Sequence, residues 1–121
     1  DYLKQNYFPN LKKSNDEFSH FDCYSLDEMV VIEIKNRSKH YDTIIFERIK
    51  YVNLLKIYLE KDLKPLYVVT TPKGVFCWDI SKQKFDWIIN QINPKSTYFK
   101  NKNQKATKWF SYLEIKKSKK I

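Results

Sequence analysis

Residues 29–35, MVVIEIK, constrain the fold most. Val30, Val31, Ile32 and Ile34 place apolar side chains on both faces of a strand, because successive side chains point to opposite sides. A strand that is apolar on both faces belongs inside a sheet covered by other elements on each side. Glu33 and Lys35 interrupt that run, and Asp22 adds a third charge on the segment just before. Charges inside an apolar strand are rare without a partner or a task.

The stretch FDCYSLDEMVVIEIK, residues 21–35, reads as two strands around the turn chemistry of SLDE. Val31, Glu33 and Lys35 share one face of the second strand. If Asp27 and Glu28 form a two-residue turn, Asp22 lies directly opposite Glu33. If SLDE is a four-residue loop, Asp22 pairs with Val31 and Glu33 is its diagonal neighbour. In both registers the three charges project from one face, with backbones roughly 4.5–8 Å apart.

Two carboxylates so close repel each other, and a hard divalent cation between them resolves the conflict. Mg²⁺ uses one or two carboxylates, with waters and phosphate oxygens in its other positions. Lys35 is no metal ligand. Facing a substrate, it would orient or help deprotonate a water, or offset charge developing on a phosphate. Together these groups describe metal-assisted phosphodiester hydrolysis. The competing reading is a solvated strand face with a surface ion pair for Glu33 and Lys35, and a turn or capping carboxylate for Asp22.

A chain of 121 residues is expected to form one domain, residues 1–121, with a single core. No segment approaches the roughly 20 apolar residues of a membrane span, and no signal-peptide pattern opens the chain. Cys23 and Cys77 lie in apolar, strand-like segments, as expected of free thiols in a reducing compartment. A cytoplasmic or virus-associated intracellular location, with no secretion and no membrane partner, is the corresponding expectation. With only one glycine, the chain has neither GxGxxG nor GxxxxGK[ST], so dinucleotide and P-loop chemistry are excluded. The net charge of +9 invites a nucleic-acid partner. Only Arg37 and Arg48 of the 23 basic residues are arginine, the better bidentate reader of phosphate and guanine.

Along the chain, DYLKQNYF reads as the end of a helix stopped at Pro9 and Asn10, and LKKSNDE as a loop. FSHFDCYS and MVVIEIKNR are strands. A helix is expected over about residues 42–61, capped by Asp42 or Thr43, with Ile45, Ile49, Val52, Leu55 and Leu59 on its inner face. KPLYVVT and VFCWDI form a hairpin around the turn TPKG. SKQKFDWIIN reads as a short amphipathic helix, ATKWFSYLEI as a last strand, and KKSKKI as a frayed basic tail, residues 116–121. The order β-β-α-β-β with flanking helices implies a central mixed sheet in a layered α/β or α+β arrangement.

Asp22, then Glu33-Ile34-Lys35 at the end of the next strand, then a helix and the hairpin YVVTTPKGVFCWDI, resemble the PD-(D/E)xK nuclease superfamily. That superfamily includes restriction enzymes, Holliday junction resolvases and many viral and phage nucleases. The resemblance covers about residues 18–80, with Phe21 where the family name has proline. It implies a restriction endonuclease-like core and a DNA endonuclease of replication, recombination or repair. Asp22, Glu33 and the Ile34 carbonyl would hold Mg²⁺, with Mn²⁺ as a substitute, and Lys35 would serve the attacking water. Lys50 or Tyr51 would take the place of a Gln, Lys or Tyr that the family often carries on the following helix. Many members bring a further metal-binding glutamate from a preceding helix. Here Asp1 is the only acid of DYLKQNYF, so either that glutamate lies upstream of residue 1, or Asp16 or Glu17 substitutes, or the site binds one metal.

DNA is the partner that follows, with Arg37, Lys39, Lys50 and Lys73 as backbone contacts. The chain is expected to act as a homodimer or to read structure, such as branches or ends, rather than sequence. Residues 37–40 are equally a solvated loop, and Lys50 an ordinary exposed helix lysine. Tyr98, Phe99, Trp109, Phe110 and Tyr112, interleaved with lysines, read as strand aromatics covering the core ahead of a base-stacking surface. Trp78 and Trp87 read as core, and His20 as a rim residue beside Asp22. The alternative function is a non-catalytic nucleic-acid-binding or assembly module on the same fold. An RNA nuclease is a further reading.

Overall fold

The computed structural model describes residues 2–14, 21–92 and 106–121. It begins with a one-turn helix, α1 (Tyr2–Asn6), and strands β1 (Lys12–Lys13), β2 (Cys23–Ser25), β3 (Val30–Asn36) and β4 (Thr43–Glu47). The long helix α2 (Arg48–Lys61) leads to β5 (Lys64–Thr71) and β6 (Gly74–Asp79). Then come β7 (Ile88–Ile92), β8 (Ala106–Glu114) and β9 (Lys119–Lys120), with 3₁₀ turns at Ile80–Lys82 and Ile115–Lys117.

The strands form a six-stranded sheet, β1-β2-β3-β5-β6-β9, and a three-stranded sheet, β4-β8-β7. Among the described strands only β3 and β5 run parallel, in register from Val30↔Lys64 to Asn36↔Thr70, so the sheet is mixed and the fold is α+β. β3 lies inside the sheet and is covered on both sides, as its apolar run requires. One face buries Val31, Tyr67, Val69, Phe76 and Trp78 against Leu54 and Ile57 of α2 and Ile44, Phe46 and Leu113 of the small sheet. The other buries Cys23, Val30, Ile32, Leu66 and Val68 under Leu3 and Leu11. Cys23 is buried, Cys77 is half-buried, and both are free. Burial raises the Cys23 thiol to about 12 and the Cys77 thiol to about 11, so both are inert protonated thiols near neutral pH.

The SLDE turn forms as its side chains predict: the Ser25 hydroxyl donates to the Glu28 carboxylate and accepts the Glu28 N–H at 3.2 Å. Glu28 also receives the Asn10 N–H and side-chain amide, and these bonds, Ser25 foremost, hold its carboxyl below the usual range. The hairpin register is Cys23↔Ile32, Tyr24↔Val31, Ser25↔Val30, so the loop is the four residues LDEM rather than SLDE. Met29 closes it with φ +56.

Several local expectations change. Residues 43–47 are strand β4, not the start of the helix, and neither Asp42 nor Thr43 caps it. The run Thr-Ile-Ile-Phe suits a pleated surface and pairs with β8, a partner more than 60 residues away that periodicity does not reveal. The helix itself turns a different side inward. Leu54 and Ile57 are buried, whereas Ile49, Val52 and Leu59 are 60%, 47% and 73% exposed. At the C-terminus Asp62 takes the left-handed conformation (φ 55), and its N–H reaches the Tyr58 carbonyl.

SKQKFDWIIN is not a helix. Asp79 caps a single 3₁₀ turn through the Ser81 N–H, and residues 83–87 run extended into β7. Phe85 and Trp87 stack face to face at 4.8 Å and pack on Tyr51, which alternation allows and a helix would not. LKKSNDE is in part a strand, since Lys12 and Lys13 pair with β2. KKSKKI is not frayed: Lys119 and Lys120 pair with Cys77 and Phe76, and the Ile121 N–H donates to Val75. That pairing covers the otherwise open edge of β6. In β8, Phe110 is buried but Trp109 and Tyr112 are exposed, so its aromatics cover the core only in part. Trp78 is core and Trp87 packs against it. Tyr98, Phe99, Asp1, Asp16, Glu17 and His20 lie outside the described residues. Among the described residues, no helix is long and apolar enough to cross a membrane.

Candidate active site

The register carried one step beyond Cys23↔Ile32 sets Asp22 beside Glu33, the first of the two arrangements drawn from the sequence. Asp22 is fastened by its backbone, its N–H donating to the Ile32 carbonyl and its carbonyl accepting from Ser14, both at 3.1 Å. Its Oδ2 takes the Ile34 N–H at 2.7 Å. That bond aims the carboxylate at the Glu33-Ile34 peptide and leaves Oδ1 free of it.

Glu33 projects toward α2. Its side chain is 12% exposed, and Lys50 Nζ lies 3.0 Å from Oε1. Burial raises the Glu33 pKa above the usual carboxylate value; Lys50 opposes the shift, and the Asp22 charge adds to it. Lys35, two residues on along the same face, is exposed at the C-terminal end of β3. The geometry therefore brings together Asp22, Glu33, Ile34, Lys35 and Lys50. Tyr51, the other helix candidate, turns away into the Phe85–Trp87 stack.

Tyr67 is the site residue that sequence reasoning missed. It is the parallel partner of Glu33 and is 4% exposed. Burial raises its hydroxyl to about 12, while the Arg37 guanidinium beside it pulls the other way. Tyr67 is thus a neutral hydroxyl next to Glu33. The pairing of β3 with β5 would have revealed it, and that pairing crosses a connection of 27 residues, 37–63, that alternation alone does not bridge.

Arg37 and Lys39 line a cleft of ≈ 460 Å³ with Tyr41, Ile45 and Tyr112. Arg37 is tied to β5 by its N–H to the Thr70 carbonyl, 2.8 Å. Lys73 sits in the β5–β6 turn, and its N–H reaches Thr71 Oγ1 at 3.1 Å. The same hydroxyl meets His40 Nδ1 at 2.8 Å, so the loop after β3 and the β5–β6 turn share one rim. Arg37, Lys39 and Lys73 stand at the C-terminal ends of the parallel strands, where ligands of such sheets characteristically sit.

Two facing carboxylates and a backbone carbonyl are hard oxygen donors, which suit Mg²⁺ or Mn²⁺ rather than zinc. Among the described residues, no group of three or more His, Cys, Asp or Glu side chains is gathered for a metal. Any ion here would depend on the pair Asp22 and Glu33.

A mixed sheet whose antiparallel β2–β3 hairpin carries paired carboxylates, extended by a parallel strand and overlaid by one long helix, is a nuclease-like α+β fold. It is similar to the structure of Hjc, a Holliday junction resolvase from the archaeal hyperthermophile Archaeoglobus fulgidus. The TM-score is 0.60 over 100% of this chain and 86% of that one, at 10% sequence identity. At that identity the likeness is one of fold, and it is the fold class expected from the sequence. No protein-family model and no curated protein matches the chain.

Proposed function

We propose that this protein is a divalent-metal-dependent endonuclease that hydrolyses phosphodiester bonds of DNA, selecting its substrate by structure, as in branched recombination intermediates. The observation that carries the reading is the juxtaposition of Asp22 and Glu33, with Lys35 on the same face, in a resolvase-like fold. Asp22, Glu33 and the Ile34 carbonyl would hold Mg²⁺, or Mn²⁺ in its place. Bound there, the ion would offset charge on the phosphate and make water a better nucleophile.

The chain's own groups do the rest. Ile34 N–H fixes the Asp22 carboxylate. Lys50 offsets the Glu33 charge from the helix side. Lys35, exposed toward the substrate, orients the attacking water and stabilises charge building on the phosphate. Arg37, Lys39 and Lys73 engage neighbouring phosphates, while Lys50 serves Glu33 before it serves DNA. DNA and a second copy of the chain are the partners in this reading.

The test is cleavage of linear, nicked, four-way-branched and single-stranded DNA with Mg²⁺, Mn²⁺ or EDTA, beside folded Glu33→Gln and Lys35→Ala proteins. The expected result is metal-dependent cutting that falls on the order of 100-fold or more in each variant. Binding without cutting, insensitive to Glu33→Gln, would instead establish a non-catalytic nucleic-acid-binding module on the same fold.

A further inference from the structure

The C-terminal strand β9 brings a lysine onto the candidate active face from the opposite edge of the sheet. Across the sheet, Lys35 pairs with Val69, Val69 with Phe76, and Phe76 with Lys120. Directly paired residues point to the same face, so Lys35 and Lys120 stand at the two ends of one row. Three strand spacings separate them, about 14 Å, close to the rise of four nucleotides at about 3.4 Å each.

The Lys120 side chain has a defined place on that face. Its Nζ lies 6.0 Å from the centroid of the Phe76 ring, which His40 meets at 5.4 Å. A Cβ on Gly74 would fall 2.8 Å from Lys120 Cε, and Gly74 has φ +141. The chain's one glycine therefore stands where the stem of Lys120 crosses the hairpin. No carboxylate engages the charge, which meets only the Phe76 ring among the described residues. Among the described residues Lys50, Lys108, Lys116 and Lys117 form ion pairs with glutamates, whereas Lys35, Lys39, Lys73 and Lys120 form none. A lysine that merely blunts a sheet edge needs neither the ring nor the glycine; Lys119, pointing to the other face, serves that purpose.

We propose that β9 is a phosphate-binding strand, in which Lys120, with Lys73 beside the same turn, holds the sugar–phosphate backbone of the DNA on the side of the site away from Asp22. The inference rests on the nuclease reading and extends it to residues at the end of the chain.

The test is binding of a short fluorescein-labelled duplex, followed by anisotropy across a salt series in EDTA, so that cleavage plays no part. Removing one lysine–phosphate pairing lowers the slope of log affinity against log salt by about 0.9. Lys120→Gln is expected to show one such step, and the Lys120→Gln, Lys73→Gln double variant two. Lys120→Arg should keep the slope. Lys64→Gln, at the far pole of β5, should also keep it. A wild-type chain that binds DNA with its slope unchanged in Lys120→Gln overturns the proposal and leaves the nuclease reading standing. A wild-type chain that binds no duplex overturns the proposal, while the nuclease reading then stands or falls by the cleavage of branched DNA.

Discussion

Val31 and Glu33 are two residues apart on one face of β3, yet Val31 is fully buried and the Glu33 side chain keeps 12% of its surface exposed. Both pair with β5, Val31 with Pro65 and Glu33 with Tyr67, whereas on the other side the β2 ladder ends at Ile32, so that Glu33 lies beside Asp22. The difference lies above the sheet. Over Val31 the layer formed by α2 and the small sheet closes with Leu54, Ile44 and Phe46; over Glu33 it offers the ammonium of Lys50. A strand can thus be hydrophobic core at one end and candidate site at the other while its pairing with β5 runs unbroken.

The sharpest way to break this comparison is to move the carboxylate. Val31→Glu places the same group where no cation and no water reach it, and should cost more than about 4 kcal/mol. Chemical denaturation would show it as loss of the folded state; a stable Val31→Glu protein would mean that the layer over Val31 is open.

An effect of middle size comes from filling the site. Mn²⁺ at about 100 times its dissociation constant should raise the unfolding free energy by about 2.7 kcal/mol, seen as an upward shift in Tm. Glu33→Gln should abolish that shift. An equal shift in wild type and variant would place the ion elsewhere.

The smallest effect separates burial from pairing. The folded-state pKa of Glu33 is raised, chiefly by burial. Its contribution to stability is therefore complete below the unfolded carboxylate value and is lost as pH rises through the folded value. Glu33→Gln carries no such dependence, so its stability relative to wild type should improve from acidic to neutral pH. An unchanged difference across that range would mean that Lys50 fully cancels the cost of burial.

Much of the candidate site's geometry was legible because it is local. Asp22, Glu33 and Lys35 lie on one hairpin, where alternation fixes faces and any even loop length puts the three charges together. The covered mixed sheet was legible too, from a strand apolar on both sides. What was hidden depends on distant partners. Residues 43–47 and 88–90 read as helix because the pairing strand β8 cannot be seen from either segment. The inner face of α2 was misjudged for a related reason: the helix carries apolar residues on two sides, and only the tertiary packing selects Leu54 and Ile57. Tyr67 belongs to the same class, recognisable only once β3 is laid beside β5.

The Glu33–Lys50 pair has a bearing on how such a protein survives between encounters with its substrate. Because a side chain of the protein already answers the buried charge, the fold does not wait on an ion to become self-consistent. If the proposed metal-dependent cleavage holds, chelation should silence it without dismantling the protein. In the proposed reading, supply of the cation would govern when the site works, while persistence of the protein is left to the packing of its two cores.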